Sequence, residues 1–340
     1  MPVDKKDSKK RKHVCVGILA HVDAGKTTLS EALLYESGSI RRLGRVDHKD
    51  AFLDMDVLER ERGITIFSKM AEFSVGEMDV TLLDTPGHAD FSTEMERTLR
   101  VLDYAVLVIS GTDGVQGHTE TLWKLLEQYR IPTFLFVNKM DRPGTDAGML
   151  LMELRHRLNG SCIDFGRPDG DEPFYEDAAL ADEDVMEEYL LTGRVEDNEM
   201  IRLIRERKIF PCYFGSALKL DGIRELLAGL ETYTERKIYP SDFGARVFKI
   251  ARDEQGTRLT YLKITGGSLR VKTMLEGRDW QEKADQLRIY SGARYTTAEE
   301  VEAGCICAVT GLSSTVPGEG LGMEPDGEKP RLTPVLSYQI

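Results

Sequence analysis

Long apolar runs are the first thing this sequence lacks. No stretch of about 18 apolar residues occurs in its 340 positions, so no segment reads as a membrane-spanning helix. The lysine-rich start is followed by Val14-Cys-Val-Gly-Ile-Leu19, too short an apolar core for a signal peptide, and the chain reads as cytoplasmic. Cysteine is scarce. Cys15, Cys162, Cys212, Cys305 and Cys307 show no Cys-x-x-Cys spacing and no nearby histidine, which argues against a metal site and for reduced core thiols. A basic excess is missing too: the net charge of −13 argues against a protein that grips DNA with a strongly basic face. Contact with a large RNA–protein partner through local basic spots stays open. No internal repeat or low-complexity tract is present.

What is there suggests two domains, from 340 residues at roughly 150 per domain. The apolar runs Val14–Leu19, Tyr104–Ser110, Pro132–Asn138 and Phe210–Gly215 alternate with helical patterns at Thr28–Ser37, Thr119–Tyr129 and Ile223–Tyr233. Met70–Val75 and Val80–Leu83 flank Gly76-Glu77, a hairpin signature. Buried strands joined by helices predict a mainly parallel sheet covered on both faces, with the ligand at the strand C-terminal ends. Past Tyr239-Pro-Ser-Asp242 the pattern turns to short strands and glycine turns (Gly244–Ala251, Arg258–Thr265, Leu269–Val271, Ala284–Tyr290, Cys305–Thr310), which predicts a small β-barrel. The expected division is a basic tail at 1–11, an α/β domain at 12–238, a barrel at 239–330 and the start of a further domain at 331–340. Within the α/β domain, about 149–208 reads as an inserted acidic subdomain with helices near Asp182–Leu191 and Asp197–Arg207. Asp169–Glu199 holds thirteen acids against Arg194 as its one base, the pattern of a solvated helical surface.

Five motifs carry chemistry. Ala20-His-Val-Asp-Ala-Gly-Lys-Thr27 follows a strand and opens a helix, as a phosphate-cradling loop does, although Ala20 stands where the general pattern has glycine. Val22, Asp23, Ala24, Gly25, Lys26, Thr27 and Thr28 are the expected phosphate contacts. Gly25 allows close approach, Lys26 places its charge between β- and γ-phosphates, and the Thr27 hydroxyl faces Mg²⁺. Asp84, in Asp84-Thr-Pro-Gly-His88, is expected to hold a metal-bound water, and Gly87 to offer its N–H to the γ-phosphate. Thr65, in Arg62-Gly-Ile-Thr65, closes a long unpatterned segment and is expected to contact Mg²⁺ and the γ-phosphate. In Asn138-Lys-Met-Asp141, the Asp141 carboxylate matches the N1–H and N2 amine of guanine, Asn138 braces the loops and Lys139 lies along the base. Ala217 N–H, with Ser216 and Leu218 beside it, would donate to O6. Adenine presents the wrong groups at both edges, so GTP and GDP are the expected nucleotides.

These motifs, with Asp113-Gly-Val115 and the Gly244–Gly267 part of the barrel, resemble those of translational GTPases. The group nearest in pattern is elongation factor G together with the tetracycline-resistance ribosomal-protection proteins, and the likeness runs from about Lys12 to the end. It implies an α/β P-loop GTPase domain followed by a translation-factor-type barrel. It also implies a ribosome-stimulated GTPase acting in translation, with His88 orienting the attacking water behind an apolar gate of Val22 and Ile64. Lys26, Asp23 and Thr65 complete the expected catalytic set, Asp23 through a monovalent cation. The implied partners are the ribosome, with large-subunit RNA as activator, and a stalk protein at the acidic insertion; no membrane, no DNA and no second copy are expected. His21 carries no such argument and reads as a structural loop residue. Ser68-Lys69-Met70 and the compact insertion favour ribosomal protection over housekeeping translocation. A nucleotide-dependent ribosome-docking fragment with negligible turnover is the competing reading. An unrelated ATPase would require the base-reading motifs to be coincidences. The relatives' domains beyond the barrel are expected to be missing from these residues.

Overall fold

The structure, a computed structural model, describes residues 11–44, 52, 69–85, 92–166 and 172–327. Its first layer is a sheet of β1 (Lys12–Ala20), β2 (Lys69–Val75), β3 (Met78–Asp84), β4 (Tyr104–Ser110), β5 (Thr133–Asn138), β6 (Cys162–Asp164) and β7 (Phe210–Phe214). The order is β2-β3-β1-β4-β5-β7-β6. Only the β2–β3 hairpin is antiparallel among these pairs.

Side chains alternate across the pleat, so each parallel strand feeds two cores. Val106, Val108, Phe134 and Phe136 meet Leu29 and Leu33 of α1 (Lys26–Glu36) on one face. Ala105, Leu107, Leu135 and Val137 face the other way. There they meet Leu99 of α2 (Ser92–Leu99), Leu122 and Leu126 of α3 (Gly117–Gln128), and Leu154 of α4 (Ala147–Arg157).

The acidic stretch forms α5 (Glu172–Ala179), α6 (Glu183–Thr192) and α7 (Asp197–Arg205), and α8 (Ile223–Tyr233) closes the first face. Ala178, Val185, Met200, Leu203 and Ile204 join the same core as α1 and α8. Among the described residues the stretch read as an insertion therefore has no separate core, and its β6 extends the main sheet by pairing parallel with β7. Asp182 caps α6 by accepting from Val185 N and pairs with Arg202 at 3.2 Å and with Lys208. Bases just after the acidic run thus neutralise part of it.

The second unit is all-β: β8 (Gly244–Arg252), β9 (Arg258–Gly266), β10 (Ser268–Arg270), β11 (Met274–Glu276), β12 (Gln281–Lys283), β13 (Gln286–Ser291), β14 (Arg294–Ala298), β15 (Glu300–Glu302), β16 (Ile306–Thr310) and β17 (Gly320–Gly322). A six-stranded antiparallel sheet, β14-β13-β16-β9-β8-β17, joins two short ribbons, β10-β15 and β11-β12, around a core of Val247, Leu262, Leu287 and Val309. This is the expected barrel. It packs onto the α/β layer through Cys15, Met70, Leu83, Val101, Phe248 and Ile306. At that seam Lys263 donates to Asp103 at 2.7 Å and to the Val101 carbonyl at 2.8 Å. Asp103 also accepts from Cys15 N at 2.9 Å and from the Tyr239 hydroxyl at 3.3 Å. All five cysteines are free; Cys15, Cys162, Cys212 and Cys307 are buried and Cys305 half-buried.

Candidate functional site

Parallel register brings the strand ends to one edge. Ile18 lies beside Asp84, Ser110 beside Asn138 and Val137 beside Phe214, so the loops after β1, β3, β5 and β7 open together. Such an edge is where open α/β sheets take ligands.

The chain leaves β1 for α1 through Asp23 and Gly25, with φ of 62° and 94°. Glycine is required at 25 for two reasons: that φ is left-handed, and a Cβ there would lie 2.2 Å from Asn138 Nδ2. α1 begins with no side-chain cap and no acid in its first turn. Its leading N–H groups and positive dipole end therefore suit an anion. Lys26 is buried and donates from Nζ to Asp84, itself fully buried at the end of β3. Thr85 fixes the next residue by donating from Oγ1 to the Ile18 carbonyl at 2.8 Å. The motif assigns Asp84 to a metal-bound water; here the carboxylate faces Lys26, so each charge offsets the other.

Asn138 is the brace between loops. Its Nδ2 donates to the Ala24 carbonyl at 2.9 Å, and its Oδ1 accepts from Ala217 N at 2.9 Å. Met140 N donates to the Gly215 carbonyl at 3.0 Å, drawing the β5 and β7 loops together. The Gly215 loop is closed by reciprocal Ser216–Asp221 backbone bonds of 3.0 Å, and a Cβ on Gly215 would strike the Asp221 carbonyl at 2.2 Å. The motif aims the Ala217 N–H at a base oxygen. In the structure it goes to Asn138, because the buried amide fills the space between the two loops. Ser216 Oγ is buried without a hydrogen-bond partner among the described residues. Lys139 adopts φ 66°, Asp141 is exposed on the same loop and Leu218 is exposed beside Ala217.

Of the residues expected to act, Val22 to Thr28, Asp84, Asn138, Lys139, Asp141, Ser216, Ala217 and Leu218 lie on these converging loops. Thr65, Gly87 and His88, with the gate residue Ile64, lie outside the described residues. With the phosphates of a bound nucleotide, the Thr27 hydroxyl and an Asp84 carboxylate released from Lys26 would offer an all-oxygen donor set, of the kind that suits Mg²⁺. Sequence reasoning passed over His118, whose ring packs edge-on to His21 with centroids 5.6 Å apart. Nearby, the Ser110 and Thr112 hydroxyls hold Asp113 below the usual carboxylate range. Glu153 accepts from Val115 N at 3.0 Å and so holds that turn from α4. Neither partner follows from spacing, since each pair joins separate elements.

Residues 11–236 match the family described as the elongation factor Tu GTP binding domain. The chain is similar to the tetracycline resistance protein TetP of Clostridium perfringens, with 35% identity over 93% of this chain and 52% of that protein. It is 36% identical to an oxytetracycline resistance protein of Streptomyces rimosus, over 93% of this chain and 53% of that one. A tetracycline resistance protein TetO of Streptococcus pneumoniae is 36% identical over 78% of this chain and 44% of its own length. The chain thus spans about half the length of the relatives it matches. A solved structure of a Thermus thermophilus protein superposes with a TM-score of 0.83, covering 96% of this chain and 56% of that one; at 24% identity it speaks to fold alone.

Proposed function

The chain belongs to the family of the elongation factor Tu GTP binding domain, and from that premise we propose that it binds GTP with Mg²⁺ and hydrolyses it under stimulation by the ribosome. The observation that carries the reading is the double hydrogen bond of Asn138, which fastens the phosphate loop to the Gly215–Ala217 loop and builds one site from three separate motifs. In this reading Lys26 leaves Asp84 for the phosphates when nucleotide binds, and Asp84 is freed to orient a water near Thr27. Mg²⁺, when bound, supplies charge neutralisation between the phosphate oxygens. Asp141 selects guanine by accepting from its two donors. Thr65, Gly87 and His88 belong to the proposal as well: Thr65 and Gly87 sense the γ-phosphate and His88 orients the attacking water. Phosphoryl transfer depends mostly on such positioning and charge stabilisation. Asp23 is the proposed contact for a monovalent cation.

The named relatives are tetracycline resistance proteins, and ribosomal protection in the cytoplasm is the proposed setting, with large-subunit RNA as activator and the acidic helices as a stalk-facing surface. Phosphate release measured with GTP and ATP, with and without ribosomes, tests the reading. Ribosome-stimulated turnover of GTP that collapses in His88→Ala is expected. Equal turnover of ATP would overturn the guanine assignment, and GTP binding without stimulated turnover would favour a docking module.

A further inference from the structure

The helix α2 carries a buried acid that the proposed reaction does not use. Glu96, in the middle of its eight residues, is fully buried. A carboxylate taken out of water is costly unless donors meet it. The Tyr129 hydroxyl donates to Glu96 Oε1, and Arg100, just past the end of α2, donates from Nη2 to that hydroxyl at 3.4 Å. The Arg100 guanidinium also lies 5.3 Å from the centre of the Tyr129 ring. Burial first, and then the bond to Glu96, raise the tyrosine above its ordinary pKa, so it is a protonated donor at neutral pH.

Tyr129 is itself held firmly. It closes α3, where its N–H returns to the Leu125 carbonyl at 2.9 Å, and the chain then enters β5 past buried Ile131. A rigid element thus reaches across to a helix with little else to fix it. Eight residues rise only about 12 Å, and helices so short are marginal on their own. Met95 and Leu99 seat α2 in the core beside Leu122 and Leu126. Such apolar contacts choose a face but not a depth, because they are non-directional. A hydrogen bond to a buried carboxylate is directional and costly to leave unmade, so it selects the seat. That seat bears on the motif just upstream. His88 precedes Ser92 by four residues, which span at most about 14 Å, so the place of α2 bounds the reach of His88.

We infer that Tyr129 and Glu96 are positioning residues for GTP hydrolysis, which hold α2 at the depth that lets His88 act while touching no nucleotide themselves. The inference rests on the role proposed above for His88. A misplacement of about 1 Å at a reacting group can cost about 10²-fold in rate, so a pair remote from the phosphates can control turnover.

The test separates rate from stability. Ribosome-stimulated GTP turnover and the urea midpoint are measured for the parent, Tyr129→Phe, Glu96→Gln and the double variant Tyr129→Phe with Glu96→Leu. Tyr129→Phe should lower kcat about tenfold or more with KM within about twofold, since the nucleotide loops are untouched. Glu96→Gln keeps an acceptor for the tyrosine and should retain most of the parent's kcat. The double variant replaces a buried polar pair by apolar groups of similar size, which often leaves stability unchanged or raised. Its kcat should still be down about tenfold or more, as apolar contact does not restore the depth of α2. A pair that only stabilises the fold gives the opposite result, turnover that follows the urea midpoint and returns in the double variant. Parent-like kcat in a stable double variant, or in Tyr129→Phe if the double variant does not fold, overturns this inference alone. No GTP turnover in the parent overturns the proposed function and this inference with it.

Discussion

Two buried lysine–aspartate pairs sit at opposite ends of this fold, and they are built for different ends. Lys26–Asp84 lies at the mouth of the phosphate loop, where Lys26 opens a helix just after two residues of positive φ. Lys263–Asp103 lies in the seam between the domains. Lys263 is there in the middle of β9, bonded on both sides by β8 and β16, and Asp103 has two further donors. Burial, the largest single influence, lowers the Lys263 ammonium, but the Asp103 charge and hydrogen bond together with Cys15 and Tyr239 beside it hold it above its ordinary value. A pair fixed in a sheet with every acceptor used cannot exchange partners. A pair at a helix start, beneath a loop whose leading N–H groups suit an anion, can, and phosphate would supply the exchange. One buried ion pair is therefore a fastener, and the other is a placeholder for ligand charge in the proposed function.

The sharpest way to break this comparison is Lys263→Met. It strands Asp103 in the seam and should cost about 3–5 kcal/mol of stability, read from the urea midpoint. An unchanged midpoint would mean that the seam does not depend on the pair. Lys26→Ala should act on ligand as well as on fold, since it leaves the buried Asp84 without its lysine; it should weaken GTP binding by about 10²–10³-fold in calorimetry. Retained affinity would place the phosphates elsewhere. Asp141→Asn should shift preference from GTP toward xanthosine triphosphate, at a loss of about 10²-fold for GTP, because the amide can donate to a C2 oxygen. Equal GTP affinity in that variant would refute the base-edge geometry.

The smallest effect concerns pH at the seam. Burial first, and then Asp79, push the Glu72 carboxyl up to about 7. Since its folded pKa is raised above the unfolded value, its contribution to stability is full below the unfolded pKa and is lost as pH rises through about 7. Glu72→Gln should therefore flatten the decline in stability between acid and neutral pH. At pH 8 it should add about 1 kcal/mol after solvent screening, read from unfolding curves at both ends of that range. An unaltered pH profile would show that Glu72 is ionised in the folded seam.

The motifs assigned to the nucleotide could be read at all because each is a short contiguous run whose residue types suit one proposed job: glycine for approach, lysine for charge, aspartate for the base edge. The parallel sheet was legible for a similar reason, as apolar runs with helices between them leave few arrangements. β6 escaped notice because three residues carry no periodicity. α4 was absorbed into the supposed insertion because Met149 and Met152 leave it exposed apolar residues where a solvent face should be polar. The acidic helices looked like a separate body by charge. They share the main core because charge reports the outer face of a helix and says nothing of what its inner face packs against.

Sequence alone determined an α/β layer and a following barrel, and the residue types offered at each loop, from which the phosphate contacts and guanine reading are proposed. Tertiary structure decided how these parts are held. It spent the Ala217 N–H on Asn138, set Asp84 against Lys26, and paired Lys263 with Asp103 across 160 positions of chain. The physical reason is that residue type and local spacing fix what a side chain can offer. Which partner takes the offer depends on strands and loops that meet only when the sheet is assembled.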